Sequence, residues 1–345
     1  MLFYPRGVFA GLIAISLLCP CTVYGWGERA HGVINRAAID ALPDDGPVYL
    51  KAQEALIARS ATLPDTWRAE SEAFSKMEED PNHGWFREQF AFITTIPRSR
   101  IAFLLSLYRE HERLARSDPG TAQRMNIRWT GTLPYAVLEG YGRLVADMRL
   151  IRALRLKGVD TTPFETDTAF LVAWMGHYIA DGSQPLHVTV HHDGWVGPNP
   201  AHYTRDPAVH GRFETDYVNL IGLSESDIVP YLAPVAHQHS DVFTAVLAYL
   251  DRSHRDVETV YRLDRDGALH DAGNREARSL VYERCAAASA MLRDLVTRAW
   301  KESGLSPLPP THPDDPDNPG YDPATGSAPA PLSRKLPEPV RHAVP

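Results

Sequence analysis

The chain has 345 residues, of which 44% are hydrophobic, so it can bury a large core as one sizeable domain or two. Its formal net charge of −8 excludes a broadly basic surface of the kind that captures nucleic acid non-specifically. A nucleic-acid substrate would therefore have to be held locally, by metal ions or by a few arginines. The sequence contains no glycine-rich phosphate loop, no βαβ alternation and no internal repeat.

The first 25 residues have the pattern of an export signal. Arg6 supplies positive charge ahead of the apolar run 7–18, which is too short for a permanent transmembrane helix. Cleavage between Gly25 and Trp26 would make Trp26 the first residue of a secreted or periplasmic protein. No later stretch is long and apolar enough to span a membrane, so we expect no transmembrane anchor.

The composition divides the chain into three predicted segments. These are a signal peptide at 1–25, one helical domain at 26–304 and a proline-rich tail at 305–345 that we expect to be disordered. Cys285 is the one cysteine left after processing, so the mature chain can form no internal disulfide. Its alanine neighbours indicate a small buried side chain rather than a reactive thiol.

The hydrophobic periodicity predicts an all-α domain. In chain order, helices are predicted at 31–42, 47–59, 101–116, 134–157, 163–182, 209–220, 239–254 and 271–303. Two long irregular stretches, 61–98 and 188–206, interrupt this pattern. Loops of that length in a compact domain are usually functional.

The helix predicted at 163–182 carries the first sign of a site. His177 and Asp181 lie four residues apart on one face of it, and Pro185 then helps to turn the chain so that His187 returns toward that face. Two imidazoles and a carboxylate suit a borderline metal such as zinc. Taken alone, a core histidine bonded to an aspartate is the simpler interpretation.

Further residues with the same chemistry shift the interpretation toward metal. His210 and Glu214 repeat the four-residue spacing on another helix, and Asp65 and His83 lie in the first irregular stretch. His31 follows the predicted new N-terminus by five residues, and a freed α-amine forms a five-membered chelate with its own carbonyl. Together these residues predict a cluster of several metal ions, without setting their number.

In this order the residues resemble the zinc-dependent phospholipase C / S1–P1 nuclease family. The series that carries the resemblance is Trp26, His31, Asp65 with Arg68 three residues on, His83, His177-x-x-x-Asp181, Pro185-Leu186-His187 and His210-x-x-x-Glu214. Each element is weak by itself, and their joint order makes the match specific. The resemblance implies a single, mainly helical domain of that family's type, with long active-site loops.

The resemblance also implies three zinc ions. For the first ion it implies the ligands Asp65, His83, His177 and Asp181. For the second ion it implies His187, His210 and Glu214. For the third ion it implies the Trp26 amine and carbonyl with His31 and a shared oxygen of Asp181. Paired metal ions can activate water and stabilise a departing oxyanion, so the implied reaction is phosphodiester hydrolysis. In it Asp65 would orient or deprotonate the attacking water.

Arg68 and several aromatic residues are candidates for holding the substrate. Arg68 would contact phosphate through its forked donors, and an equally simple alternative is a structural pair with an acidic neighbour. The candidate substrate walls, for which core or loop packing is the alternative, are Trp67, Trp85, Phe86, Trp195 and Tyr203. His191 and His192, beside Asp193, would support the ligands or face the substrate.

The two branches of the family differ in substrate, and the residues point both ways. The short step from Trp26 to His31 and the long insert between His187 and His210 resemble the nucleases. Glu214 resembles the phospholipases, because the nucleases usually have aspartate there. Thr215 stands where the fungal nucleases tend to have asparagine, which leaves base recognition open.

The leading interpretation is a secreted or periplasmic zinc phosphodiesterase of the S1/P1 nuclease type that acts on single-stranded nucleic acid or nucleotides. The alternatives are a zinc-dependent phospholipase C that cleaves phospholipid headgroups and a non-catalytic zinc-binding protein. A metal phosphohydrolase of the His-Asp type is disfavoured, because it would use neither Trp26 nor the pair His210 and Glu214. No stable protein partner is implied.

Overall fold

The computed structural model describes residues 26–69, 71–235 and 241–305. Within these ranges the chain is all-α and contains no β-strand, which confirms the predicted fold class. The predicted signal peptide and residues 306–345 of the predicted tail lie outside the described residues, so both remain predictions.

The helices account for most of this part of the chain. Numbered in chain order, the α-helices are α1 Glu28–Asp40, α2 Glu54–Ser60, α3 Leu63–Trp67, α4 Ala73–Glu79, α5 Arg100–Leu114, α6 Pro119–Ala122, α7 Ile127–Thr130, α8 Leu133–Leu156, α9 Thr162–Ser183, α10 Val209–Gly211, α11 Tyr217–Leu220, α12 Glu225–Ile228, α13 Val242–His254, α14 Val257–Arg265 and α15 Arg275–Ser303. The 3₁₀ helices are Val48–Gln53, Asp80–His83, Arg87–Phe90, Pro185–Val188, Val229–Tyr231 and Ala268–His270. A π-helical turn, Arg212–Asp216, joins α10 to α11.

Helix α9 lies at the centre of the fold. It packs against α8, α15, α2 and α1, so its residues from Met175 to Ser183 are all buried. A helix covered on several sides is apolar around most of its circumference, which explains the nearly continuous apolar run in the sequence. His177 and Asp181 lie in this buried part, where a polar group without a partner costs free energy.

A glycine lets α1 approach α9 closely. A Cβ at Gly176 would lie 2.2 Å from Asn35 Oδ1, so a larger residue there would force the two helices apart. The close approach stacks the rings of His31 and His177, whose centroids are 4.3 Å apart. Asn35 Nδ2 donates a hydrogen bond of 2.9 Å to the His31 carbonyl. The helix contact therefore positions one candidate ligand above another.

Short elements are where the sequence-based prediction is wrong. The stretch 61–98 is not irregular throughout, because it contains α3, α4 and two 3₁₀ helices. Elements of that length are too short to show a helical period. Helix α14 is also missed, although Val257, Val260 and Tyr261 form its buried face at helical spacing. No helix in the described part of the chain is long and apolar enough to cross a membrane.

Candidate metal centre

The first predicted site brings four side chains together from three elements. Asp181 Oδ2 lies 3.0 Å from His83 Nδ1 and 3.3 Å from His177 Nε2, and the two ring nitrogens are 3.0 Å apart. Asp65 Oδ1 lies 3.8 Å from His83 Nδ1 and 3.9 Å from His177 Nε2. All four side chains are buried.

These separations fit the geometry of a tetrahedral metal site. Donor atoms about 2.0–2.1 Å from a tetrahedral zinc ion lie about 3.3 Å from one another. The observed distances of 3.0 to 3.9 Å lie on both sides of that value. The donor set of two imidazoles and two carboxylates also suits zinc. The residues present therefore fit the metal that the sequence implies.

The two carboxylate oxygens of Asp181 face different groups of donor atoms. Oδ2 faces the first site, whereas Oδ1 faces His31 Nε2 at 3.4 Å. Neither ring nitrogen of His31 has a hydrogen-bond partner, although the ring is fully buried, and Asp181 Oδ1 has none either. Buried polar atoms left without partners in a native fold require an explanation. A cation shared between His31 Nε2 and Asp181 Oδ1 would give these two atoms a partner.

The second predicted site is a triangle of donor atoms. His210 Nε2 lies 3.1 Å from His187 Nε2 and 2.9 Å from Glu214 Oε2, and His187 Nε2 lies 3.5 Å from the same oxygen. Gln184 Nε2 donates to Glu214 Oε2 at 3.0 Å, which holds the carboxylate in place. The π-helical turn that contains Glu214 is a type of distortion found often at functional sites.

One imidazole separates the two sites. His187 Nε2 belongs to the second site, while its Nδ1 lies 3.7 Å from Asp181 Oδ2 of the first. That Nδ1 also donates to the carbonyl of His83, itself a residue of the first site. The two groups of donors are therefore direct neighbours, as a two-metal site requires.

Hydrogen bonds on the far side of three rings set which nitrogen faces each site. The Nδ1 atoms of His177, His187 and His210 lie against the carbonyls of Ala61, His83 and His192, respectively. A carbonyl only accepts, so each Nδ1 must donate, and in the neutral ring each Nε2 keeps its lone pair. Such bonds are the usual support of metal-binding histidines.

Two of the histidines are held neutral by their surroundings. Burial lowers the pKa of His31, and neighbouring His177 lowers it further. Burial, together with the Arg68 guanidinium, holds the pKa of His83 well below its usual value. Neutral imidazole is the form that binds a metal ion. Both rings are therefore ready to bind at neutral pH.

The carboxylates have the opposite effect on the other two rings. Burial opposes a charge on His177, but Asp181 and Asp65 outweigh it and raise its pKa to about 9. In the same way, Glu214 outweighs burial and raises the pKa of His210 to about 10. These rings bind protons at neutral pH in the metal-free protein, and a divalent cation would displace those protons.

Trp26 contacts residues that are close in sequence to ligands of both sites. Its side chain is fully buried, its Nε1 donates to Ser183 Oγ at 2.9 Å, and its ring lies 5.4 Å from that of Phe213. The next residue, Gly27, donates its N–H to the carbonyl of Glu214 at 3.3 Å. The position of this end of the domain is therefore fixed by protein contacts alone.

An open cleft of about 170 Å³ leads to the sites. His83, His187 and His210 line its floor, so the two neighbouring sites are reached from the same side. Arg68 lines the cleft as well, with Nε 3.1 Å from Asp80 Oδ1 and a terminal nitrogen 3.7 Å from Asp65 Oδ1. Arg68 thus lies in a structural ion pair and within reach of a ligand in the cleft.

The aromatic residues that were predicted to form the substrate walls do not all line the cleft. Phe86 lines the cleft and stacks on His192, with ring centroids 4.6 Å apart. Trp85 is a core residue instead, 1% exposed, because it packs against a cluster of rings that includes Phe90 and Phe103. Trp195 stacks on His191 rather than on a ligand in the cleft.

The other two predicted wall residues also lie outside the cleft. Trp67 lines a separate cavity and lies 6.4 Å from the ring of Phe170. Tyr203 packs on Trp195, 4.7 Å away. Of the five, Phe86 alone is among the residues that line the cleft above the sites.

Several supporting residues were not predicted from the sequence as site residues. Asp193 Oδ1 lies 3.2 Å from His210 Nδ1, and its position beside two histidines could have revealed it. Glu79 lies 3.8 Å from His83 Nε2 and accepts the hydroxyl of Tyr178. Glu79 is four residues before His83, a spacing that could have revealed it.

The turn after His187 is held by a partly exposed acid that was also missed. Glu88 accepts hydrogen bonds from Thr189 Oγ1 and from the N–H of Val190, at 2.7 and 3.0 Å. Burial would raise the pKa of Glu88, but these bonds and one from His254 hold it at about 2. The carboxylate is therefore ionised at neutral pH and fixes the path of the chain beyond His187.

No family model matches the chain, and no curated protein or solved structure is detectably similar to it. The assignment of a function therefore depends on the geometry. That geometry provides three buried groups of histidine and acidic side chains that could bind metal ions. The groups are His31, His177 and Asp181; Asp65, His83 and His177; and His187, His210 and Glu214.

Proposed function

We propose that the chain is a zinc-dependent phosphodiester hydrolase of the phospholipase C / S1–P1 nuclease type, and that single-stranded nucleic acid is its leading substrate. The observation that carries the proposal is the convergence of eight side chains, from His31 to Glu214, on three adjoining groups. Their donor atoms have the mutual distances of a tetrahedral metal site. A purely structural histidine cluster would not need three such groups side by side.

Zinc ions bound in these groups would supply a water of lowered pKa and would stabilise the negative charge of the departing oxygen. The residues of the first group would be Asp65, His83, His177 and Asp181. Those of the second would be His187, His210 and Glu214. The third would combine the Trp26 amine and carbonyl with His31 and Asp181.

The protein's own residues supply positioning and proton transfer. Asp65 lies in the middle of α3 with its carboxylate buried beside the first group, where it would act as a proton acceptor. Arg68 lies within 3.7 Å of that carboxylate and offers its remaining N–H groups to a phosphate oxygen. The buried residues around Asp65 would exclude bulk water from one side of the phosphodiester group that reacts.

The walls of the cleft favour a substrate with flat rings. The pair Phe86 and His192 forms one stacked surface, and Trp129, 45% exposed, lies 5.8 Å from the ring of His192. Both Trp129 and His192 also line a neighbouring cavity, so the aromatic surface continues beyond the metal groups. Unpaired bases stack on such surfaces with a gain of about 1–3 kcal/mol each.

A phospholipase C is the second candidate, and one observation favours it. Phe74 and Met77 on α4 are 87% and 63% exposed, close to Lys76 at the edge of the cleft. Exposed apolar residues beside a basic side chain are typical of proteins that bind at a lipid surface.

The test compares both substrates with one preparation of the mature chain that starts at Trp26. We expect it to hydrolyse single-stranded oligothymidylate faster than phosphatidylcholine vesicles, to lose turnover in a chelator and to regain it with zinc. An Asp181→Asn variant purified in parallel reveals any contaminating nuclease. Faster turnover of phosphatidylcholine would instead support the phospholipase. Zinc bound without turnover of either would support the non-catalytic alternative.

A further inference from the structure

Three cations meet around one carboxylate at the edge of the cleft. Arg68 Nε, Lys76 Nζ and Arg128 Nε lie 3.1, 3.3 and 3.4 Å from the carboxylate of Asp80. We call these four residues the cationic rim. All four line the same cleft as the ligand histidines.

The cationic rim is assembled from separate elements. Lys76 lies on α4, Arg128 on α7 and Arg68 directly after α3, while Asp80 is the first residue of a 3₁₀ helix. Backbone bonds hold the region together, because the Thr132 N–H donates to Pro81 O at 2.6 Å. The arrangement therefore belongs to the tertiary fold rather than to one helix.

Three cations of the cationic rim share the carboxylate of Asp80, in a chain whose formal net charge is −8. Arg68 also faces Asp65 at 3.7 Å, so it is partly neutralised by a second carboxylate. Asp80 is 9% exposed, whereas Arg128 is 61% exposed and free to turn its guanidinium toward a ligand in the cleft. An anionic group of a ligand could therefore bind to the same cations beside Asp80.

The cationic rim also lies at a defined separation from the metal groups. Asp80 and the ligand His83 are the two ends of one 3₁₀ helix, so they are about 6 Å apart along its axis. Arg68 spans the same gap, because its guanidinium faces both Asp65 and Asp80. One nucleotide unit of an extended strand can cover this separation.

We infer that the cationic rim binds a second phosphate of the substrate while the scissile phosphodiester lies at the metal groups. This inference rests on the proposed function and deepens it. The substrate class is then a single strand with at least two neighbouring phosphates, rather than a phospholipid with one phosphate and a cationic headgroup. Lys76 and Arg128 determine this specificity by binding the neighbouring phosphate.

Binding is measured first, with a fluorescent phosphorothioate oligothymidylate and the zinc-loaded chain at several salt concentrations. Each phosphate contact to a single strand contributes about 0.7 to the slope of log Kd against log salt. We expect Arg128→Ala and Lys76→Gln each to lower that slope by about this amount. The matched control is Arg113→Ala, because Arg113 is 63% exposed, pairs with Glu110 and lines none of the described cavities.

Turnover is measured second, with TpT, which has one phosphate, and TpTpT, which has two. The wild-type chain should prefer TpTpT by about tenfold per bond in kcat/KM, as expected for one charge-assisted contact. Arg128→Ala should narrow this ratio to about threefold or less, and Arg113→Ala should not change it.

Two results would overturn different parts of the account. Equal kcat/KM for TpT and TpTpT, with the same salt slope in all variants, would remove the second-phosphate site and leave the proposed function intact. Absence of zinc-dependent turnover of either substrate would remove the proposed function, and the binding slopes would then decide the second-phosphate site by themselves.

Discussion

Asp181→Asn should remove metal from two of the three groups and lower phosphodiester hydrolysis by more than about a hundredfold. The reason is that Asp181 directs one oxygen to His83 and His177 and the other to His31. Loss of a residue that only supports a metal ligand costs about 10–100-fold, and a shared ligand should cost more. Metal content by plasma mass spectrometry and kcat/KM on oligothymidylate measure the two effects.

The control for this variant is Asp251→Asn. Asp251 is also a helical aspartate in an ion pair, but it is 46% exposed and its partner is Arg87. It should keep its full metal content and its full activity. If Asp181→Asn matched Asp251→Asn in both measurements, the metal centre would have to lie elsewhere or be absent.

An extra residue before Trp26 should cost the third metal ion and about a hundredfold in turnover. An amide in place of the free amine cannot bind a cation, so His31 and Asp181 would hold it with too few donors. The fold should survive, since the buried Trp26 ring is held by Ser183 and Phe213. The measurement compares a chain beginning at Trp26 with one beginning Ala-Trp26.

The matched control for that comparison is a chain with the same alanine added at the C-terminus. Equal metal content and equal turnover for the two N-termini would show that no ion uses the amine of Trp26. A lower melting temperature of the extended chain, measured in a chelator, would instead show that the added residue disturbs the fold. We expect the two melting temperatures in a chelator to agree.

The helical spacing of site residues could be predicted from the sequence, because it depends on local geometry alone. His177 and Asp181, like His210 and Glu214, are four residues apart, and each pair meets in space. The turn that returns His187 could be anticipated from Pro185. The π-helical turn Arg212–Asp216, which contains Glu214, could not be predicted, because it depends on tertiary packing.

Contacts between distant segments could not be predicted in the same way. The approach of Asn35 to Gly176, which stacks His31 on His177, depends on helix packing and leaves no periodic pattern. The buried position of Trp85 is a similar case, since an aromatic residue next to a candidate ligand can face either the core or the cleft. Sequence spacing does not distinguish these two positions.

The cationic rim shows the same limit for charges. Lys76 and Asp80 are four residues apart and could be paired from the sequence, but Arg128 comes from a segment 48 residues further on. Its helix, α7, has four residues, so it has no periodic signal. The cationic rim is therefore visible only in three dimensions.

Native mass spectrometry of the mature chain, purified without chelator and measured before and after zinc addition, tests whether the three groups of donors bind metal ions. We expect three zinc ions per chain, all removed by a chelator, with phosphodiester hydrolysis lost and regained in step with them. A chain that stays metal-free with zinc in excess, and whose melting temperature is the same with and without a chelator, would contradict this expectation.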